Sequence, residues 1–150
     1  MENFKTLNAR KRIALIAHDN KKTDIIDWVI YNKTVLSQHE LYATGTTGKL
    51  IEDALKISIL KLLSGPLGGD QQIGALVAEG GIDMIIFFWD PMAALCHDVD
   101  VKALLRVAVV WNIPIANNRT SADFLLTSPL MSEEYNVRLP DYASHSTRKI

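Results

Sequence analysis

Two loops hold the residue types best suited to phosphate and proton chemistry. Thr44-Gly45-Thr46-Thr47-Gly48 is small and hydroxyl-rich, and it stands just before a stretch of helical spacing. Free N–H groups at that helix start, with three hydroxyls, would cradle an anion; the plain alternative is an ordinary strand-to-helix turn. Ser64-Gly65-Pro66-Leu67-Gly68-Gly69-Asp70 is a second glycine-rich loop, ending in a carboxylate at the head of a helix. Its glycines let the backbone come close to a ligand. Asp70 reads either as a general base beside the phosphate pocket or as a helix N-cap. The two roles coexist poorly, because capping stabilises the anion and weakens the base. Lys22, after His18 and Asp19, could reach a phosphate as a point charge or simply be solvated. His97, in His97-Asp98-Val99-Asp100, could donate to a carbonyl oxygen while a carboxylate fixes its tautomer. Asp100 is either part of that group or the cap of a helix starting near Val101.

Other chemistries are excluded. Gly48-Lys49 suggests a Walker A loop, but Ala43 replaces its first glycine and Leu50 follows the lysine where magnesium needs a hydroxyl. No G-x-G-x-x-G follows the first strand, so a dinucleotide fingerprint is missing. The four histidines and Cys96 show neither H-E-x-x-H nor paired cysteine spacing, so no metal is expected. Cys96 reads as a small packed residue, and Trp28, Trp89 and Trp111 as core or helix-packing groups. A net charge of −1 argues against nucleic acid, which requires a concentrated Lys/Arg excess. A hydrophobic content of 48% argues against disorder. One cysteine allows no intrachain disulfide, which fits a cytoplasmic protein. Met1 to Arg12 has no apolar core and is not a secretory signal, and its basic part from Lys5 reads as a solvated leader. The apolar run from Met84 to Trp89 is too short to cross a membrane.

These loops need elements to position them. Apolar runs at Ile13 to Ala17, Leu41 to Ala43, Ile59 to Leu63, Met84 to Trp89 and Ile113 to Ala116 read as five strands, the last a strand start or an edge because of Pro114. Helical stripes lie between them: Ile25, Ile26, Val29 and Ile30; Leu50, Ile51, Ala54 and Leu55; Ile73, Leu76 and Val77, stopped by Gly80-Gly81; and Leu104, Leu105, Ala108 and Val109 within Val101 to Trp111. Thr120 to Leu126 closes the pattern, and an irregular tail follows. No repeat or linker divides the 150 residues, so a single domain over 1–150 is expected. Strict alternation predicts an α/β three-layer sandwich: a mostly parallel five-stranded sheet with helices on both faces. In such sheets ligands bind beyond the carboxyl ends of the strands. His18 to Lys22, Thr44 to Gly48, Ser64 to Gln71 and Asp90 to Asp100 should therefore meet at one rim.

With those motifs in place, the sequence resembles the methylglyoxal synthase family. The resemblance runs from about Arg12 to Tyr142 and includes His18-Asp19, Ala43 to Gly48, Ser64 to Gln72, Phe87-Phe88-Trp89-Asp90-Pro91, His97 to Leu104 and Trp111-Asn112-Ile113-Pro114. It implies a cofactor-free and metal-free lyase that converts dihydroxyacetone phosphate to methylglyoxal and inorganic phosphate, assembled as a homohexamer and inhibited by phosphate. Matched by position, Asp70 would be the catalytic base, and His18, His97 and Asp100 the other catalytic groups. Lys22, Thr44, Gly45, Thr46, Thr47, Ser64 and Gly65 would bind the phosphate. Cys96 and Val99 stand where the family pattern has prolines. Arg148, with Lys149 beside it, is nearest to the arginine that family members carry near their end. The competing reading is a non-catalytic regulatory domain of the same fold that senses phosphorylated ligands. Asp70, His97 and Asp100 weigh against it, since a pure phosphate sensor gains nothing from carboxylates beside a dianion.

Overall fold

In the computed structural model, residues 3–149 are described. Met1 and Glu2 of the basic leader, and Ile150 at the end of the expected domain, lie outside them. The elements run β1 (Asn3–Leu7), β2 (Arg12–Ala17), α1 (Lys22–Tyr31), α2 (Lys33–Leu36), β3 (Glu40–Thr44), α3 (Gly45–Leu55), β4 (Leu60–Leu62), α4 (Gly69–Ala78) and β5 (Met84–Phe88). They continue with α5 (Asp98–Val110), β6 (Ile115–Ala116), α6 (Arg119–Leu126), β7 (Tyr135–Leu139) and α7 (Ala143–Thr147). Short 3-10 turns precede α1 and α4 and follow α6.

Five of the strands form one parallel sheet in the order β4-β3-β2-β5-β6. Successive strand residues point to opposite faces, so two cores form. Ile13, Leu15, Ile86 and Phe88 face Trp28 and Val29 of α1, Ile51 and Leu55 of α3, and Leu126 of α6. Ala14, Ile16, Ile85 and Phe87 face Ile73 and Val77 of α4 and Leu104 and Ala108 of α5. The expected three-layer architecture is thus present, and Pro114 leads into the edge strand β6. The chain leaves β2 toward β3 and β4 on one side, then crosses back to β5 on the other. That reversal leaves a crevice above the carboxyl ends of β2 and β5, where α/β sheets bind ligands.

The sequence reading needs correction at the ends and at the stripe margins. The irregular tail contains β7, which pairs antiparallel with β1 from Asn3 opposite Leu139 to Leu7 opposite Tyr135. The first part of the leader is therefore a strand, while Asn8, Ala9 and Arg10 are exposed as expected. Lys11 is buried, its Nζ donating to the carbonyl oxygens of Asn8 and Glu133. Ile30, Leu50, Val109 and Trp89 are exposed rather than packed. Each of the first three sits at the margin of its helical stripe, where the sheet does not reach, and Trp89 lies one residue past the end of β5.

The ribbon of β1 and β7 joins the sheet through Asp83, just before β5. Arg12 donates to this carboxylate from its backbone N (2.8 Å), Nε (3.1 Å) and Nη2 (2.9 Å), and Lys5 Nζ approaches to 3.3 Å. Burial pushes the Asp83 carboxyl up, but the Arg12 hydrogen bonds and the Arg12 and Lys5 charges outweigh it and hold the carboxyl below its ordinary range. A depressed carboxylate pKa stabilises the fold above its unfolded value, and that stability is lost as pH falls through the folded pKa. Asp83→Ala is expected to cost about 1.5–3 kcal/mol in urea unfolding at neutral pH. The difference from the parent chain should shrink as the medium is acidified toward the Asp83 pKa.

Candidate active site

A cleft of about 370 Å³ opens where the loops after β2, β3, β4 and β5 meet. One wall is the start of α3. Its first N–H groups have no intrahelical acceptor and face the cleft with the Thr46 and Thr47 side chains, while Thr44 occupies the N-cap in extended conformation. Gly45 makes this wall possible. Its φ is +43°, and a Cβ there would stand 2.7 Å from the Ser64 Cβ, so no other residue lets the two loops touch. Lys22 reaches the cleft from the start of α1, its Nζ donating to Asp19 Oδ1 at 2.7 Å and to the Ala17 carbonyl at 3.3 Å. The result is a helix N-terminus, hydroxyls and an ammonium on one side, which is the chemistry of a phosphate dianion.

The opposite side carries two imidazoles and a carboxylate. His18 accepts a hydrogen bond at Nδ1 from the Asp90 backbone N–H (3.0 Å), so its proton sits on Nε2. That Nε2 is buried without a hydrogen-bond partner among the described residues. Burial, followed by the charge of His97, pushes the His18 pKa below its ordinary value, which keeps the ring a neutral donor. Asp70 lies in the first turn of α4, only 1% exposed, and neither carboxylate oxygen has a hydrogen-bond partner among the described residues. His97 Nε2 stands 3.6 Å from Asp70 Oδ2, and its ring meets His18 edge-on with centroids 5.6 Å apart. Burial raises the Asp70 pKa; His97 opposes this and the Asp100 charge adds to it. A carboxylate with unused lone pairs and a raised pKa can take a proton, and the neutral His18 imidazole in the same cleft can polarise a carbonyl.

The comparisons with known proteins agree with this geometry. A family model described as "MGS-like domain" matches residues 24–117. Methylglyoxal synthases from Yersinia enterocolitica and Yersinia pestis are each 54% identical over 146 residues, spanning 97% of this chain and 96% and 95% of theirs. The chain belongs to the methylglyoxal synthase family. A crystal structure of methylglyoxal synthase from Elizabethkingia anophelis NUHP1 superposes with a TM-score of 0.93 at 52% identity, covering 99% of this chain and 97% of that one. The chain is accordingly an enzyme, a lyase acting on a small phosphorylated molecule. Among the described residues no helix is long and apolar enough to cross a membrane.

The cleft brings together His18, Lys22, Thr44, Gly45, Thr46, Thr47, Ser64, Gly65, Asp70 and His97. Asp100 stands behind it, where its Oδ1 accepts from Gln71 Nε2 at 2.9 Å. Neither capping alternative holds: Gly68 occupies the N-cap of α4 and His97 that of α5. Cys96 is a correction, since it is exposed on the cleft wall rather than packed. Sequence reasoning gave Asp90 no role, because its contact with His18 is made by the backbone, which carries no residue signature. Gly65 also has a structural reason: a Cβ there would stand 2.7 Å from His97 Nε2.

Two outcomes follow from this site. Gly65→Ala should displace the His97 ring while keeping every catalytic group, lowering kcat/KM by about 10²-fold with an unchanged far-UV circular dichroism spectrum. Asp70→Asn removes a buried charge that accepts no hydrogen bond from the described residues. A carboxyl raised on folding binds more protons in the native state, so stability falls as pH rises through the interval between its two pKa values. At neutral pH the variant should gain about 1 kcal/mol, roughly 2–4 °C in Tm by calorimetry.

Proposed function

We propose that the chain converts dihydroxyacetone phosphate to methylglyoxal and inorganic phosphate, with Asp70 as general base. The observation that carries this reading is the Asp70 carboxylate, buried with both oxygens unpartnered, in the same cleft as the α3 anion cradle. The substrate phosphate lies at Thr44, Gly45, Thr46, Thr47, Ser64, Gly65 and Lys22. Asp70 takes a proton from the hydroxymethyl carbon beside the ketone. The negative charge moves onto the carbonyl oxygen, where the Nε2–H groups of His18 and His97 stabilise it. Asp100 acts from behind as a positioning residue, holding Gln71 beside Asp70 and keeping the base from becoming too weak.

The enediolate can be reprotonated or can expel phosphate. Expulsion requires the carbon–oxygen bond to phosphate to stand perpendicular to the enediolate plane, so the cradle decides the product. The α3 N–H groups and Lys22 meet growing charge on the leaving phosphate, and donors of this kind are worth about 3 kcal/mol each when well placed. The enol left behind becomes methylglyoxal by proton transfer to carbon. A homohexamer, inhibition by phosphate and a cytoplasmic location belong to the same reading. Assembly is supported by the exposed apolar side chains of Tyr31, Val109 and Phe124.

The test is incubation with dihydroxyacetone phosphate, following aldehyde and free phosphate together. Both should appear in equal amounts from the parent chain. Asp70→Asn should lower kcat by at least about 10³-fold while inorganic phosphate still binds by calorimetry; full activity in that variant would remove Asp70 from the mechanism. Because the base must be ionised, kcat/KM should rise with pH through the raised Asp70 pKa. The midpoint of that acid limb should lie above the 3.8 of an ordinary aspartate. Lys22→Ala and Thr47→Ala should each raise KM about tenfold or more; unchanged values would contradict the cradle.

A further inference from the structure

The cleft contains one nucleophile that the proposed reaction does not use. Cys96, the sole cysteine of the sequence, is exposed on the cleft wall. Its Sγ lies 3.9 Å from Nδ1 of His97, whose Nε2 lies 3.6 Å from Asp70 Oδ2. In the tautomer that carries its proton on Nε2, toward the carboxylate, Nδ1 offers its lone pair to the thiol. Thiol, imidazole and carboxylate thus stand in the order of nucleophile, base and orienting group. The unpartnered Asp70 oxygens and His18 Nε2 independently mark this cleft as the place where a ligand sits.

We propose that Cys96 is a covalent-modification site at which an α-oxoaldehyde, the enzyme's own product, forms a reversible hemithioacetal. The inference rests on the reading that the cleft releases methylglyoxal. His97 Nδ1 takes the thiol proton as Sγ attacks the aldehyde carbon. A carbon–sulfur bond forms, the carbonyl π pair moves to oxygen, and that oxygen receives the proton back from Nδ1. Nothing is oxidised or reduced, and the reverse step restores thiol and aldehyde. The adduct occupies the cleft wall beside the imidazole that polarises substrate, so turnover slows while product accumulates and recovers when it is removed. A chain with proline at this position lacks the device.

The test uses the rate at which iodoacetamide alkylates the intact chain, read by mass spectrometry after brief exposure to graded methylglyoxal. Cys96 should be half-protected at a concentration at least about tenfold below that which half-protects N-acetylcysteine, and protection should vanish on dilution. His97→Gln should lose that advantage, and turnover of Cys96→Ala should show no inhibition by added methylglyoxal. Protection indistinguishable from N-acetylcysteine would overturn the proposal, a comparison that needs no variant to fold. Persistent product inhibition in Cys96→Ala would overturn it as well. The alkylation experiment needs no turnover. A chain that protects as expected but releases no methylglyoxal would sink the substrate reading alone, and one that turns over with an ordinary thiol would sink only this inference.

Discussion

A buried carboxylate that accepts no hydrogen bond from the described residues is the constraint on which the site depends, and its surroundings explain why it persists. Asp70 is carried into the interior by the first turn of α4, which Gly68 enters with a left-handed φ of 104°. Gly69 packs so tightly against the carbonyl of Leu63 that no side chain could stand there. The helix dipole partly offsets the cost of the charge, and His97 opposes it as well. The hydrophobic sheet beneath supplies the remaining stability. Proton abstraction from carbon needs a base of this kind, because a solvated carboxylate spends its lone pairs on water.

The same logic separates the two halves of the cleft. On the α3 side, donors outnumber acceptors and favour a dianion; on the α4 side, the imidazoles of His18 and His97 stand beside a raised carboxyl. Asp90 keeps these roles distinct by fixing which nitrogen of His18 carries its proton. Asp83 acts at the other end of the sheet, where its carboxylate gathers Arg12 and Lys5 and locks the terminal ribbon onto the base of β5.

The sheet was legible in the sequence because each of its strands is a short apolar run followed by a helical stripe. The rim loops were legible because parallel topology brings all strand carboxyl ends together. The ribbon of β1 and β7 was not. Its strands are largely polar, bury little beyond Leu7 and Val137, and find each other across most of the chain. Ile30 and Val109 misled for a related reason: periodicity records that a helix has an apolar side but not how wide the surface beneath it is. Cys96 was misjudged because cysteine is usually buried, and the loop holding it has no period from which a direction could be read. Gly65 could be located from sequence, yet only the approach of His97 explains why it must be glycine.

The pairing of Asn3 with Leu139 also determines how the molecule would respond to mechanical load. Asn3 and Leu139 stand opposite each other at one end of the ribbon, so tension between these two residues is borne by one rung of the ladder at a time. The ribbon would unzip at low force, whereas the parallel strands behind it, which must slide lengthwise past their neighbours, would resist in shear. A pull applied across Asn3 and Leu139 would therefore strip this short brace before it met the sheet that holds the chemistry.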